Sequence, residues 1–253
     1  MELVRIEHDG AITRLWMTRP ERRNALSFEM MQRLQKELTD LPEKTELVVL
    51  GGEGPVFSAG HDLSEMIDRD PGFYEELFDR CTDLMLTIRH LPQPVIARVH
   101  GTATAAGCQL VASCDLAVTV EGAKFATPGV KIGLFCSTPM VPVSRVVGAK
   151  RTMEMLLTGE PIDAPTALDW GLVNRVVPAD ALDDEIDDLA QSILRYSRRV
   201  IGIGKRAFYQ QLGVDEPTAY DITRQVMASN ANLADAQEGM SAFLEKRQPQ
   251  WER

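Results

Sequence analysis

Residues 100–115, HGTATAAGCQLVASCD, decide how the rest of the chain is interpreted. They follow PVIARV (residues 94–99), an apolar run that is typical of a buried strand. From Gly101 to Gly107 no side chain is larger than threonine, and a segment with helical spacing comes next. Because a helix N-terminus leaves backbone N–H groups without partners, small residues in front of it would let a ligand atom reach them.

A second turn of the same kind lies earlier in the chain. LVVL (residues 47–50) is typical of a buried strand, and the small residues of GGEGPVFSAG lead into HDLSEM, where Asp62 and Glu65 predict a helix start. Two helix N-termini that face each other would hold one oxygen from two sides, which stabilises an oxyanion without a charged side chain. The alternative is that these glycines only form tight turns.

Short apolar strands alternate with helical segments along the first three quarters of the chain. Asp9-Gly10 predicts the turn of a β-hairpin, and Ser27 predicts the start of a helix. Further helical spacing is found in residues 73–91, 151–159, 164–170 and 183–197. This alternation predicts an α/β fold for residues 1–195.

Residues 196–253 contain helical segments with no strand between them. Asp235, followed by Glu238 three residues later, predicts a capping box at the start of the last helix. Because this region has few strands to pack on, we expect it to pack on another subunit.

Composition and short motifs exclude several classes of function. The net charge of −10 argues against a nucleic-acid binder, and no apolar run is long enough to span a membrane. Neither GxGxxG nor GxxxxGK[ST] follows a strand, and the Gly202–Lys205 fragment lacks the context of such a loop, which disfavours a nucleotide-dependent enzyme.

The cysteines and the N-terminus bear on cellular location and on metals. The four cysteines are not spaced as metal ligands, so we expect no metal site and reduced thiols: Cys81, Cys108, Cys114 and Cys136. The chain begins without the pattern of a secretory signal or a presequence. These features predict a cytoplasmic protein.

Several motifs occur together and in a characteristic order along nearly the whole chain. They are RPERRNALS (19–27), GPVFSAGHDLSEM (54–66), PVIARVHGTATAAGCQLVASCDLAV (94–118), FATPGVKIGLF (125–135), GLVNRVV (171–177) and FLEKRQPQW (243–251). With them the chain resembles the enoyl-CoA hydratase/isomerase (crotonase) superfamily. The resemblance implies the crotonase (ClpP/crotonase-like) fold, a spiral of strand-strand-helix repeats with a C-terminal helical region that builds a homotrimer or a dimer of trimers.

The resemblance also implies a substrate and a binding site. It implies an acyl-CoA thioester, with coenzyme A entering as part of the substrate and no separate cofactor. The backbone N–H groups of His61 and Ala106 would hold the thioester oxygen as it becomes an enolate. Residues at positions where the family contacts coenzyme A are Arg22, Arg23, Ala59, Asp62, Leu63, Lys246 and Arg247.

The chain departs from hydratases of this family at both catalytic carboxylates. Gln109 and Gly129 stand where those hydratases carry glutamates. An amide has no useful proton affinity near neutral pH and glycine has no side chain, whereas a positioned acid or base contributes about 10²- to 10⁴-fold in rate. We therefore expect a lyase or isomerase of this family that is a poor hydratase. The alternatives are an acyl-CoA decarboxylase or isomerase and a non-catalytic acyl-CoA-binding protein.

Other side chains near these motifs leave alternatives open. The motif SAGHD (58–62) also occurs in decarboxylases of the family, which would give the His61 side chain a role in the reaction. The alternative is that this side chain lies on the surface. Cys136 is either a nucleophile with a base nearby or an inert buried thiol. Asp115 is expected to order the core, and Ser137 stands where family dehalogenases carry an aspartate that serine does not replace.

Overall fold

The computed structural model describes residues 2–252, which form ten α-helices and ten β-strands. The strands are β1 (Val4–Asp9), β2 (Ile12–Met17), β3 (Leu47–Gly52), β4 (Val56–Ser58), β5 (Val95–Val99), β6 (Thr102–Thr104), β7 (Leu116–Val120), β8 (Lys124–Ala126), β9 (Ile162–Asp163) and β10 (Arg175–Val177). The helices are α1 (Phe28–Thr39), α2 (Pro71–His90), α3 (Ala106–Ser113), α4 (Ser137–Val147), α5 (Ala149–Thr158), α6 (Ala164–Asp169), α7 (Leu182–Leu194), α8 (Arg198–Gln211), α9 (Glu216–Ala231) and α10 (Ala234–Glu245).

Three consecutive repeats build two sheets from pairs of strands. The first strand of each pair, β3, β5 or β7, joins a six-stranded sheet of order β1-β2-β3-β5-β7-β10. The second strand, β4, β6 or β8, joins a four-stranded sheet of order β4-β6-β8-β9. A helix follows each pair and returns the chain to the next repeat. This arrangement confirms the predicted α/β spiral of strand-strand-helix repeats.

Local signals in the sequence account for several of these elements. β1 and β2 pair in antiparallel register around Asp9-Gly10, and Gly10 takes the positive φ of 56° that this tight turn requires. Ser27 accepts the N–H of Met30 at 3.1 Å and begins α1 as predicted. β3 and β5 pair in parallel and are almost entirely buried, as expected for their continuous apolar runs.

Two predicted helix starts are wrong. After β4 the segment Leu63–Glu65 forms only a three-residue 3₁₀ turn, and the long helix α2 begins later, with Asp70 accepting the N–H of Phe73. The expected capping box is absent from α10, which follows Leu233 and has no side-chain cap. Asp235 instead accepts hydrogen bonds from the Ser197 hydroxyl and the Glu252 N–H, because tertiary contacts take its carboxylate.

A buried ionic cluster joins α8 to the spiral of the same chain. The Lys205 ammonium lies 2.6 Å from the Asp115 carboxylate and also donates to the carbonyl oxygens of Ile88 and Gln93. Tyr209 donates to the other oxygen of Asp115 at 2.8 Å, and the Val95 N–H also donates to this carboxylate. Asp115 therefore orders the core as expected.

The packing of α8 corrects part of the expectation for residues 196–253. This helix packs on its own chain, and Gly202 lies against Pro92 at the end of α2. By contrast, no residue of α9 is buried, and the apolar side chains of α10 at Phe243 and Leu244 are 82% and 79% exposed. The boundary between a spiral over residues 1–195 and a separate helical region stays a prediction.

Within residues 2–252 no helix combines the length and apolar character needed to cross a membrane. No group of three or more His, Cys, Asp or Glu side chains in that range could hold a metal ion. All four cysteines are buried and none is paired in a disulfide.

Candidate active site

A cavity of about 580 Å³ opens between the turn after β4, the start of α3 and the segment that joins β8 to α4. His61 and Ala106 both line it, as does Phe78 from α2. The far wall is formed by residues 128–139. The turns that the sequence singled out therefore meet at one cavity, although they are far apart in the chain.

The start of α3 depends on a strained residue. Ala105 has φ 50° and ψ −119°, a conformation that L-residues with a Cβ rarely adopt and that costs on the order of 1–3 kcal/mol. Its N–H donates to the carbonyl of Ala126 at 2.9 Å, and its own carbonyl accepts the N–H of Gln109 at 3.0 Å. These two bonds hold the turn, and Ala106 becomes the first helical residue, whose N–H has no intrahelical acceptor.

The approach of the first turn to the second requires glycine. Gly60 has φ +89°, and a Cβ added there would lie 2.8 Å from the Cβ of Ala105 and 3.1 Å from the N of Ala106. The Gly60 carbonyl accepts the N–H of Leu26 at 2.7 Å, which fixes the turn against the segment before α1. This contact places the peptide of His61 beside the start of α3.

Two backbone N–H groups are thus left unused at one cavity. In the described range 2–252, neither the N–H of His61 nor that of Ala106 donates a hydrogen bond to the protein. Donors held in place by the backbone can stabilise negative charge that develops on a carbonyl oxygen, without reorganising during the reaction. Of the two donors, only the Ala106 N–H belongs to the N-terminus of an α-helix. The turn at His61 is followed by a short 3₁₀ turn instead.

The side chain of His61 does not lie on the surface. Its Nδ1 lies 3.4 Å from the carbonyl oxygen of Leu26, and its ring meets Phe78 edge-on, with 5.5 Å between ring centroids. The Nε2 atom is enclosed and has no partner among the described residues. Burial lowers the pKa of the imidazole, so the ring is neutral near pH 7.

The position of the first absent glutamate is filled by a buried amide. Gln109 is 3% exposed, and its Oε1 faces the Cys81 thiol of α2 at 3.7 Å. Gln109 does not line the cavity, although Ala106, three residues earlier in α3, does. Burial raises the pKa of the Cys81 thiol to about 12, so this sulfur stays protonated and donates to the amide oxygen.

The position of the second absent glutamate has no room for one. Gly129 lines the cavity, and its N–H donates to Cys136 Sγ at 3.3 Å. A Cβ at this position would lie 2.8 Å from that sulfur and 2.9 Å from the carbonyl oxygen of Leu134. The thiol thus occupies the volume that a side chain at residue 129 would need. Burial raises the pKa of Cys136, which argues against a thiolate nucleophile.

The predicted coenzyme A contacts divide into two groups. Arg22, Ala59, Asp62 and Leu63 line the cavity. Asp62 accepts hydrogen bonds from the N–H and hydroxyl of Ser64, and these bonds lower the pKa of its carboxyl group. Its carboxylate is therefore ionised near neutral pH and held by its own turn.

The other predicted contacts lie outside this cavity within the single chain. Arg23 has a positive φ of 53°, and its carbonyl accepts the N–H of Ala59 at 3.0 Å. Arg247 pairs with Glu238 at 2.6 Å, and Lys246 ends α10 in a left-handed conformation. The structure of one chain does not bring these cations to the cavity.

Sequence reasoning missed the far wall of the cavity. Lys131, Ile132, Leu134 and Phe135 line it, although no spacing in the sequence links them to the two turns. The only signal was their place directly after TPGV, inside a motif of the family resemblance. Lys131 pairs with Glu160 at 2.7 Å at the rim.

Comparisons with known proteins show the family of this chain. Residues 7–253 match the enoyl-CoA hydratase/isomerase family. The chain is 48% identical over 246 residues to "Enoyl-CoA hydratase domain-containing protein 3, mitochondrial" of Homo sapiens. The alignment covers 96% of this chain and 81% of that protein. The Rattus norvegicus protein of the same name is 46% identical over 248 residues, covering 97% of this chain and 82% of that protein.

Solved structures give the same result for the fold. An enoyl-CoA hydratase from Mycobacterium smegmatis is 49% identical, with a TM-score of 0.97 and 99% of both chains covered. The human enoyl-CoA hydratase domain-containing protein 3 is 45% identical, with a TM-score of 0.96 over 99% of this chain and 100% of that chain.

The prediction of a cytoplasmic protein is wrong on these comparisons, because the rat, mouse and human relatives are named as mitochondrial proteins. The prediction rested on the unpaired cysteines and on the residue pattern at the N-terminus. Free thiols are compatible with any reducing compartment, so they do not distinguish one from another.

The family match spans nearly the whole chain, and the relatives that share almost half of its residues also share its fold. The protein therefore belongs to the enoyl-CoA hydratase/isomerase (crotonase) family.

Proposed function

We propose that this protein is an acyl-CoA enzyme that stabilises a thioester enolate and does not work as an efficient hydratase. The observation that carries the proposal is the pair of unused N–H groups of His61 and Ala106 at a cavity with no glutamate at residues 109 and 129. Oxyanion stabilisation is commonly the largest single contribution to such chemistry, so it can remain when an acid and a base are absent.

Hydration needs more than an oxyanion hole. A base must take a proton from water, and an acid must protonate the α-carbon of the enoyl thioester. The buried amide of Gln109 and the thiol that fills the space beside Gly129 supply neither group. The proposed reaction is therefore one in which the enolate forms without removal of a proton from water.

Decarboxylation is the second candidate, because it needs an oxyanion hole and no base. In an acyl-CoA with a carboxylate on its α-carbon, the bond between the two carbons breaks, CO₂ leaves and the electron pair stays on the α-carbon. An enolate therefore forms without a base, and its α-carbon then takes up a proton from water. What supports this candidate is the pair of unused N–H groups of His61 and Ala106, which would hold the enolate oxygen. A non-catalytic acyl-CoA-binding protein is the alternative that the experiments below distinguish.

The assembly and the cofactor requirement are part of the proposal. Coenzyme A enters only as the carrier of the acyl group, and no resident cofactor takes part. The exposed apolar side chains of α9 and α10, among them Tyr220, Met227 and Phe243, support burial against further copies in a homotrimer or a dimer of trimers. Lys246 and Arg247 lie outside the cavity of one chain, so their contact with coenzyme A stays a prediction.

The oxyanion hole is tested with 2,4-hexadienoyl-CoA, whose absorbance shifts to longer wavelength when its carbonyl is polarised. We expect the wild type to produce this shift on binding. Ala106→Pro removes one donor at the first helical position, where proline is tolerated, and should abolish most of the shift. Ala149→Pro makes the same change at the start of α5, away from the cavity, and should leave the shift intact.

The reaction is tested with crotonyl-CoA and malonyl-CoA. We expect hydration of crotonyl-CoA to be at least about 10²-fold below a typical turnover of about 10 s⁻¹, and CO₂ release from malonyl-CoA to be faster than hydration. Efficient hydration by the wild type would overturn the argument from the absent glutamates. Binding with a spectral shift but no turnover of either thioester would leave the non-catalytic alternative.

A further inference from the structure

The two backbone donors at the cavity belong to turns that follow a pair of neighbouring strands. The parallel ladder between β4 and β6 is irregular, and its last pair joins Ser58 to Ala103. His61 lies three residues beyond this pair in the first turn, and Ala106 lies three residues beyond it in the second. The ladder by itself therefore does not fix the distance between the N–H groups of His61 and Ala106.

A side chain continues the connection where the ladder stops. Thr104, the last residue of β6, donates its hydroxyl to the carbonyl oxygen of Ala59 at 3.1 Å. Ala59 and Thr104 directly follow the last ladder pair, and each comes two residues before one of the donors. This hydrogen bond thus joins the two turns to each other.

Steric contact limits how closely the turns approach at the next residue of each. A Cβ added to Gly60 would lie 2.8 Å from the Cβ of Ala105 and 3.0 Å from the carbonyl oxygen of Thr104. Other hydrogen bonds of the turns lead to different parts of the chain. The Gly60 carbonyl accepts from Leu26, and the Ala105 N–H donates to Ala126. Each turn is therefore fixed to its own surroundings, and the Thr104 hydroxyl ties one turn to the other.

We propose that Thr104 is a positioning residue of the oxyanion hole, whose hydroxyl sets the distance between the N–H groups of His61 and Ala106. The inference rests on the proposed function, because it takes both donors to hold one thioester oxygen. Thr104 does not line the cavity, so it acts through the backbone of the two turns. Donors of this kind are effective at about 2.7–3.1 Å from the oxyanion, so a small shift of one turn weakens the pair.

The strain at Ala105 adds to the need for this bond. A residue with a Cβ stays at a positive φ only where its surroundings over-determine the conformation. Thr104 directly precedes Ala105, and its hydroxyl fixes the peptide that leads into the strained residue. Without the hydroxyl, the half-buried carbonyl of Ala59 also loses a donor, which favours movement of the first turn.

Three variants of Thr104 separate the effect of its hydroxyl from that of its methyl group. Thr104→Ser keeps the hydroxyl, Thr104→Val keeps the branched shape without it, and Thr104→Ala loses both. The absorbance shift of bound 2,4-hexadienoyl-CoA reports how strongly the thioester carbonyl is polarised. We expect Thr104→Ser to keep most of the wild-type shift, and both variants without the hydroxyl to lose about half of it or more.

A matched control and a second ligand separate positioning from stability. Thr119 also donates its hydroxyl to a backbone carbonyl, that of Val99 at 3.0 Å, but it does not line the cavity and joins β7 to β5. Thr119→Val should lower the urea midpoint as Thr104→Val does and leave the shift intact. S-Hexyl-CoA, a thioether without a carbonyl, should bind Thr104→Val within about twofold of the wild type, whereas hexadienoyl-CoA should bind about fivefold or more weakly.

The outcomes distinguish this inference from the proposed function. If hexadienoyl-CoA gives no shift with the wild type, the oxyanion hole fails and the role of Thr104 fails with it. If the wild type gives the shift and Thr104→Val keeps it, or if the shift follows the methyl group, only the role of Thr104 is overturned. It is also overturned if Thr119→Val loses the same shift, or if Thr104→Val binds both ligands equally weakly.

Discussion

The backbone N–H of Gly129 lies 3.3 Å from the sulfur of Cys136, and this thiol takes the place of any side chain at residue 129. The carbonyl oxygen of Leu134 closes the same space from the backbone, 2.9 Å from an added Cβ. A carboxylate at this position would need movement of the wall that leads into α4. The packing of the site around residue 129 therefore leaves no space for a glutamate side chain.

Gly129→Glu should destabilise the protein and should not create a hydratase. Overpacking of this kind costs about 1–3 kcal/mol. Urea unfolding measures the cost, and crotonyl-CoA hydration is assayed beside it. Gly122→Glu is the matched control, because Gly122 is exposed and an added Cβ there meets nothing within 4 Å. A stable Gly129→Glu variant that hydrates crotonyl-CoA would contradict this account of the site.

Gly107→Ala and Gly204→Ala should change stability in opposite directions, although both glycines lie inside helices. A Cβ at Gly107 would lie 2.4 Å from the carbonyl oxygen of Ser58, a backbone atom that cannot move aside without shifting β4. A Cβ at Gly204 meets nothing within 4 Å. We expect a loss of about 2 kcal/mol or more for the first and a gain of about 0.5–1 kcal/mol for the second. Urea unfolding curves of both variants check this, and equal effects would show that α3 is not packed against β4.

Lys205→Met should destabilise the protein strongly. The substitution leaves the Asp115 carboxylate buried with only Tyr209 and a backbone N–H as partners. Removal of one partner of a buried ion pair typically costs about 3–5 kcal/mol. Chemical unfolding measures the cost, with Lys44→Met at an exposed lysine as the control. The double variant Asp115→Asn, Lys205→Met should lose less than the sum of the two single losses, and simple additivity would argue against coupling.

Stability should fall in mildly acidic solution because of His61. Burial lowers the pKa of its imidazole below 6.5, so the unfolded chain takes up a proton at a pH where the folded chain does not. Above about pH 6.5 the ring is neutral in both states and has no effect, and below that pH stability is lost by at most about 1.4 kcal/mol per pH unit. The loss continues until the pH reaches the lower pKa of the folded state.

Urea unfolding at pH 7.5 and 5.5 measures this loss. His61→Gln keeps the backbone N–H and should lose less stability between these values than the wild type. Part of the loss should remain, because burial also lowers the pKa of His100. His90→Gln, at an exposed histidine that ends α2, is the control. An equal loss in the wild type and His61→Gln would show that His61 is not buried as described.

Local patterns predicted much of the fold. The turn at Asp9-Gly10, the cap at Ser27 and the apolar runs of β3 and β5 each depend on residues close together in the chain, and the structure shows each where it was expected. The prediction of a capping box at Asp235 failed, because the carboxylate of this residue accepts from the Ser197 hydroxyl and from the N–H of Glu252. Both partners are distant from it in sequence. Short strands such as β4, β6 and β8 were also missed, since three residues carry little periodicity.

The sequence by itself determined that the site has no glutamate at residues 109 and 129. It also predicted that backbone N–H groups are exposed to a ligand. Gln109 and Gly129 are read directly from the chain, and the small residues around Ala106 predict an accessible helix start. Only the tertiary structure decided that Gly60 approaches Ala105, that Cys136 fills the space at Gly129, and that the Gln109 amide is held by Cys81. The contacts of Gly60 with Ala105 and of Gln109 with Cys81 join different repeats of the spiral, whereas Cys136 and Gly129 lie in one loop. They depend on packing distances of a few ångströms, and no pattern along the chain encodes such distances.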